Sequence, residues 1–301
     1  IFSGVFSASF TTANAYIADI TPPEKRAQAF GMIGAAFGVG FIIGPIIGGQ
    51  LGAIDLRLPF WFAAGLALLN FLYGVFVLPE SLPKERRTAK FDWSHANPVG
   101  SMVLLKRYPQ VFGLAAVVLI ANLAHYVYPS VFVLFAEYQY RWNEQQVAWV
   151  LAAVGVCSVI VQAGLVGRVV PKFGERRTLL FGLACGVVGF CIYGMADLGW
   201  MFLIGLPISA LWGLAGPATQ ALITQQVGAD VQGRVQGALM SLVSLAGIVG
   251  PMMFAGTFAL FIGKAAPAHL PGAPWLLAAL LLAIGWLVGW RFARPPSAAA
   301  H

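Results

Sequence analysis

EKRAQAFGMIGAAFGVGFIIGP, residues 24–45, and DVQGRVQGALMSLVSLAGIVGP, residues 230–251, are the two stretches on which the fold turns. A shift of 206 positions lays one over the other. Gly31, Gly44 and Pro45 then fall on Gly237, Gly250 and Pro251, and an acidic residue, Glu24 or Asp230, opens each copy. The match weakens upstream, with Asn14 on Gln220 and Ile17 on Ile223. Gly and Pro inside long apolar runs are tolerated in lipid, where neighbouring helices satisfy the freed backbone groups. Two such copies running in the same direction predict a duplicated helical bundle in a bilayer.

Composition agrees. Of the 301 residues, 59% are apolar and only 10% charged, with a mean hydropathy of +0.80. Soluble domains carry roughly a quarter charged residues, so this chain could not clothe a surface of its size in water. Its net charge of +7 does not mark a nucleic-acid binder. The basic residues sit in short loops between apolar runs rather than in one patch. Cys157, Cys185 and Cys191 lie within apolar runs, without metal-ligand spacing, and read as free thiols. No signal peptide is visible at Ile1.

Crossing a hydrocarbon core takes about 20 helical residues. Apolar runs of that length predict nine spans, at 2–20, 29–51, 58–78, 110–136, 146–169, 177–196, 200–224, 233–262 and 273–292. If the loop after the first span is cytoplasmic, Arg57, Arg141 and Lys264 are the outer members of the 18 Lys and Arg residues. The rest then lie inside, which fixes the orientation and places the C-terminus in the cytoplasm. Residues 79–109 are polar, basic and Pro-containing, and predict a cytoplasmic linker whose part near 99–107 lies on the membrane surface. The expected organisation is therefore three helices of a first bundle at 1–78, the linker at 79–109, and a six-helix bundle at 110–301. The second repeat has three spans ahead of it between residues 110 and 206, whereas the first has none. About three preceding helices of a twelve-helix protein are thus expected beyond this chain.

Two six-helix halves joined by a basic linker resemble the major facilitator superfamily. The glycine run Gly31, Gly34, Gly38, Gly40, Gly44, Pro45, Gly48 and Gly49 is similar to the glycine motif on the fifth helix of its drug/proton antiporters. AYIADITPPEKRAQAFG (15–31), VLFAEYQYRWN (133–143) and GRVVPKFGERRTLLFG (167–182) resemble the tetracycline-resistance branch in particular. The resemblance covers essentially the whole chain. It implies an all-α major facilitator fold, with spans four to twelve present, in a plasma membrane, the inner membrane of a bacterium. It also implies a glycine helix packed against its counterpart, Gly237, Gly250 and Pro251 included, as a gate between the halves, and a tight helix-to-helix turn at 167–182. Gly186 stands where the branch carries a membrane-embedded aspartate on its ninth helix, which turns the expectation away from tetracycline itself.

Ionisable groups at membrane depth are costly and mark function. His125, in NLAHYVYPS, sits mid-span, and free imidazole titrates near pH ~6.5, suited to carrying a proton. Asn122, Tyr126 and Tyr128 flank it, and Pro129 is expected to break the helix beside them. A neutral histidine bonded to a neighbouring helix is the bland alternative. Glu137, at the outer end of the same span, is the other candidate for proton coupling, or else a gate or surface residue. Asn14, Gln162 and Gln220 are polar groups at depth that plausibly line a substrate site together with Asn122, His125 and Tyr126. Trp212 could stack a flat aromatic compound. Asp19 reads as a capping group or a partner of Lys25 or Arg26.

No zinc-protease, nucleophile-elbow, phosphate-loop or dinucleotide motif occurs, so no enzyme, cofactor or metal is expected. The expected function is proton-coupled efflux of a drug or small amphiphilic metabolite by rocker-switch alternating access, with the full-length monomer as the unit. The alternatives are a carrier of a sugar or other metabolite on the same fold, and a transport-incompetent fragment.

Overall fold

The computed structural model describes residues 9–80, 108–228, 231–263 and 268–293. The linker residues 81–107 lie outside the described residues, as do the surroundings of Pro45 and Gly49. Every regular element among the described residues is a helix: α1 (Ser9–Ile20), α2 (Pro23–Ile54), α3 (Leu58–Phe76), α4 (Pro109–His125), α5 (Val127–Tyr140) and α6 (Glu144–Val159). A π-helical segment (Ile160–Leu165) joins α6 to α7 (Val166–Phe173), followed by α8 (Glu175–Met195) and α9 (Gly199–Ala210). A 3-10 segment (Leu211–Leu214) joins α9 to α10 (Ala215–Gln225), and α11 (Gln232–Ile262) and α12 (Ala273–Phe292) complete the chain. Among the described residues, eight helical stretches are long and apolar enough to cross a membrane, with α4–α5, α6–α7 and α9–α10 each counting as one. The expected span at 2–20 is described only from Ser9.

Local chemistry sets the helix ends. Pro23 at the first helical position and Glu24 in the first turn start α2 six residues before the apolar run does, so Lys25 and Arg26 belong to the helix and not to a loop. Asn143 and Gln146 form a reciprocal capping box at the start of α6. Gly174 has φ 78°, a conformation that suits glycine, and makes the expected tight turn between α7 and α8. The break expected beside Pro129 falls at Tyr126. Proline has no N–H for the His125 carbonyl four residues back, so α4 ends there and α5 begins.

The repeat reappears in three dimensions. Shifted by 206 positions, α1 covers 215–226, against Ala215–Gln225 for α10. The Arg26 guanidinium donates to the Thr21 carbonyl (3.2 Å), and its shifted equivalent Gln232 donates to the equivalent carbonyl of Val227 (3.3 Å). The packing is reciprocal as well, since α2 packs on α10 while α11 packs on α1. The last helices of the two copies differ. α12 is wedged between α4 and α8 and buries Trp275, Ala278 and Leu282, whereas α3 has no buried residue and touches mainly α2.

The core of residues 108–293 is aromatic towards the expected outer side. Trp275, Tyr193, Phe190, Phe135 and Phe202 are fully buried, and Tyr193 stacks on Phe202 with ring centroids 4.0 Å apart. Lipid offers apolar side chains no burial advantage, so this packing holds helices by dispersion and shape.

The glycine helix corrects one expectation. α2 packs chiefly on α6, the π segment, α7 and α10, rather than on its counterpart α11. The reason is visible in the glycines themselves. A Cβ at Gly38 would lie 3.1 Å from the Gly155 carbonyl, and one at Gly155 would lie 3.2 Å from the Gly38 carbonyl, so two backbones cross where neither has a side chain. Gly31 faces the Gln162 carbonyl and Val166. Gly40, Gly44 and Gly48 have nothing within 4 Å of a Cβ position and do not take part in this crossing. On α11, Gly237 is equally open, and Gly250 is packed under Tyr126, a contact with α4–α5 and not with α2. In this conformation Gly31, Gly34 and Gly38 are the members of the run that pack against the second bundle; Pro251 lies within α11, which continues through it.

Candidate functional site

The break between α4 and α5 places His125 at the last turn of one helix, midway along the 109–140 span. In mid-span, the His125 side chain keeps some accessible surface. Its ring stands 5.8 Å from that of Trp212 and 5.9 Å from that of Tyr128, tilted at 47° and 48°. Trp212 is delivered by the 3-10 segment, whose tighter winding follows Pro207 in α9. Gly186 on α8 makes room for the indole, because a Cβ there would lie 3.0 Å from Trp212 Cγ. The space beside Gly186 is thus filled by Trp212 and Leu282.

Tyr128 turns the other way, edge-on to Phe190 and Trp275, with its hydroxyl in hydrogen-bonding reach of Tyr193 and Ser209. Ser209 and Tyr193 share a hydrogen bond of 2.5 Å, and Ser209 donates on to the Leu206 carbonyl. The result is an imidazole between two aromatic rings, with a short hydroxyl chain behind one of them.

The remaining sequence candidates divide. Gln162 stands on the π segment, half-buried, and its amide donates to Ser158 Oγ (2.7 Å). Its side chain fills the notch at Gly34 and touches Gly213, next to Trp212. Gln220 accepts a hydrogen bond of 3.2 Å from the buried Gln236. Asn14 is buried on α1. Asn122 donates to the Val118 carbonyl of its own helix (2.8 Å). Tyr126 lays its hydroxyl against α11 at Gly247 and so serves the packing of α4–α5 on α11. Glu137 is exposed and lines an open cleft of about 660 Å³ with Trp142, Asn143 and Gln145, away from His125.

Residues that the sequence did not single out are Gln236, Ser209 and the paired small residues Gly155 and Gly213. A polar side chain four positions after Gln232 on an apolar helix was the signal for Gln236. The glycines gave none, because their partners are distant in the chain. Among the described residues no cluster of His, Cys, Asp or Glu could hold a metal ion.

Comparison with known proteins agrees with this architecture. The Major Facilitator Superfamily profile matches residues 1–251. The chain is 36% identical over 281 residues to the class C tetracycline resistance protein of Escherichia coli, spanning 93% of this chain and 69% of that protein. It is 35% identical to the class G tetracycline resistance protein of Vibrio anguillarum, spanning 94% and 70%. The crystal structure of the human organic anion transporter MFSD10 (TETRAN) superposes with a TM-score of 0.80 at 21% identity, over 92% of this chain and 66% of that one, and so shares its fold. The break at His125, the glycine crossing and the duplicated helix pairs thus belong to a multi-pass membrane transporter, and the chain is a member of the major facilitator superfamily, in the branch that holds the tetracycline resistance proteins.

Proposed function

We propose that the protein exports a drug or small amphiphilic compound in exchange for protons, by alternating access between a first bundle (1–78) and a second (110–301) joined by the linker 79–109. The observation that carries the reading is His125, exposed in mid-span at a helix break and flanked by Trp212 and Tyr128. A neutral imidazole takes up a proton when the cycle exposes it to acid and loses it when the cycle exposes it to a neutral interior. Only a difference in proton affinity between the two arrangements drives the cycle. Trp212 would hold a flat substrate from the second bundle, Gln162 would set the wall beside it, and Asn14 and Gln220 would line the site nearer the cytoplasm. Glu137 would act at the outer rim, as a gate. The plasma membrane, a cytoplasmic C-terminus and a monomeric working unit complete the proposal.

The test is efflux from inverted vesicles holding the full-length protein, with tetracycline and a panel of amphiphilic compounds, before and after collapse of the pH gradient. Gradient-driven transport of at least one compound is expected, with coupling lost in His125→Ala. Unchanged coupling in that variant would remove the histidine from the mechanism, and an inert protein would remove the transport reading.

A further inference from the structure

Three irregularities meet at one point. The π segment (Ile160–Leu165), the 3-10 segment (Leu211–Leu214) and the glycine face of α2 all touch there, and the first two pack directly on each other. Gln162 stands at the junction. A Cβ added at Gly34 would coincide with its carboxamide, while its Cγ lies 3.4 Å from the Cβ position of Gly213. The residue beside Gly213 is Trp212, whose ring faces His125 at 5.8 Å. A single side chain therefore spans from the glycine helix to the segment that sets the wall of the histidine pocket.

Single π-helical turns inside α-helices are frequent at functional sites. We propose that Gln162 is a positioning residue: it transmits the state of the crossing between α2 and α6 to Trp212 and, through it, to His125. This rests on the reading of Trp212 and His125 as the transport site. While Gly34 covers Gln162, the carboxamide is pinned between its own Ser158 bond and the notch, and the 3-10 segment is held in place. When α2 moves off, the notch opens and the amide swings clear of Gly213. The 3-10 segment is then released, and the distance from Trp212 to His125 changes with it. Opening at the seam and the environment of the histidine are tied together without any charge crossing the interface.

Hydrogen–deuterium exchange of the full-length protein in nanodiscs tests this without a substrate, so an inert transport assay would leave the result standing. Gly34→Ala drives a methyl into the carboxamide and is expected to speed exchange at 211–214 at least about twofold, the low end of coupling between touching residues. Gln162→Asn, which withdraws the amide from the notch without crowding it, is expected to do the same. In Gln162→Ala, adding Gly34→Ala is expected to have no further effect at 211–214. Val159→Ala, whose side chain meets Gly38 in the same crossing but not the 3-10 segment, is expected to speed exchange within α2 alone. The proposal is overturned if Gly34→Ala acts at 211–214 to the same extent with and without Gln162, or if Val159→Ala loosens 211–214 as much as Gly34→Ala. Should Gly34→Ala fail to fold, Gln162→Asn set against Val159→Ala decides the question.

Discussion

A histidine halfway across a bilayer costs free energy unless the fold answers it. Here the fold answers with two aromatic rings set against the imidazole. His125→Phe keeps the ring contacts and removes the titration. We expect it to fold, with thermal stability changed by less than about 1.5 kcal/mol as for other shape-conserving swaps, and to lose the pH dependence of efflux. Trp212→Ala is expected instead to weaken substrate affinity, raising KM more than it lowers kcat in vesicle transport. His125 was legible in the sequence because so few titratable groups lie within the spans. Its environment was not. Trp212 and Gly186 come from distant helices, and only the folded chain shows that the indole needs the missing Cβ of Gly186.

At the scale of elements, apolar run length and loop charge located the helices within a few residues. Their starts were less legible, because Pro23 and Glu24 extend α2 into a charged stretch that reads as loop. The glycine motif was legible as a packing surface, but its partner was misassigned. Repeat logic pairs like with like, whereas the backbone contact forms with Gly155, whose isolated glycine gives no signal. Substitution should separate the two classes of glycine. Gly38→Leu is expected to disrupt the α2–α6 crossing and cost about 2 kcal/mol or more, as overpacking does, measured as a fall in thermal midpoint in detergent. Gly164→Ala, with nothing within 4 Å of its Cβ, is expected to stay within about 0.5 kcal/mol.

Across the whole molecule the duplicated architecture was readable from a single sequence offset, and the structure repeats it down to the bonds of Arg26 and Gln232. Arg26 also reaches into the other copy of the repeat. Its guanidinium also donates to the Thr224 carbonyl (3.1 Å) at the end of α10, to which Gln232 donates as well (2.9 Å). Two equivalent residues thus converge on one carbonyl, one from each copy of the repeat. Arg26→Ala is expected to loosen α2 against α10 by about 1 kcal/mol, the scale of one net hydrogen bond, and Gln232→Ala to act within α10 and α11 instead. Exchange at 221–225 and across α2 would tell the two apart.

Alternating exposure of the pocket around His125 is most directly read by chemistry at that position. His125→Cys, in a full-length protein with Cys157, Cys185 and Cys191 replaced by serine, is treated in membrane vesicles of each orientation with a membrane-impermeant maleimide. Labelling from both faces is expected, with its balance shifted by bound substrate. Labelling from one face only, under every condition, or from neither, would contradict the account.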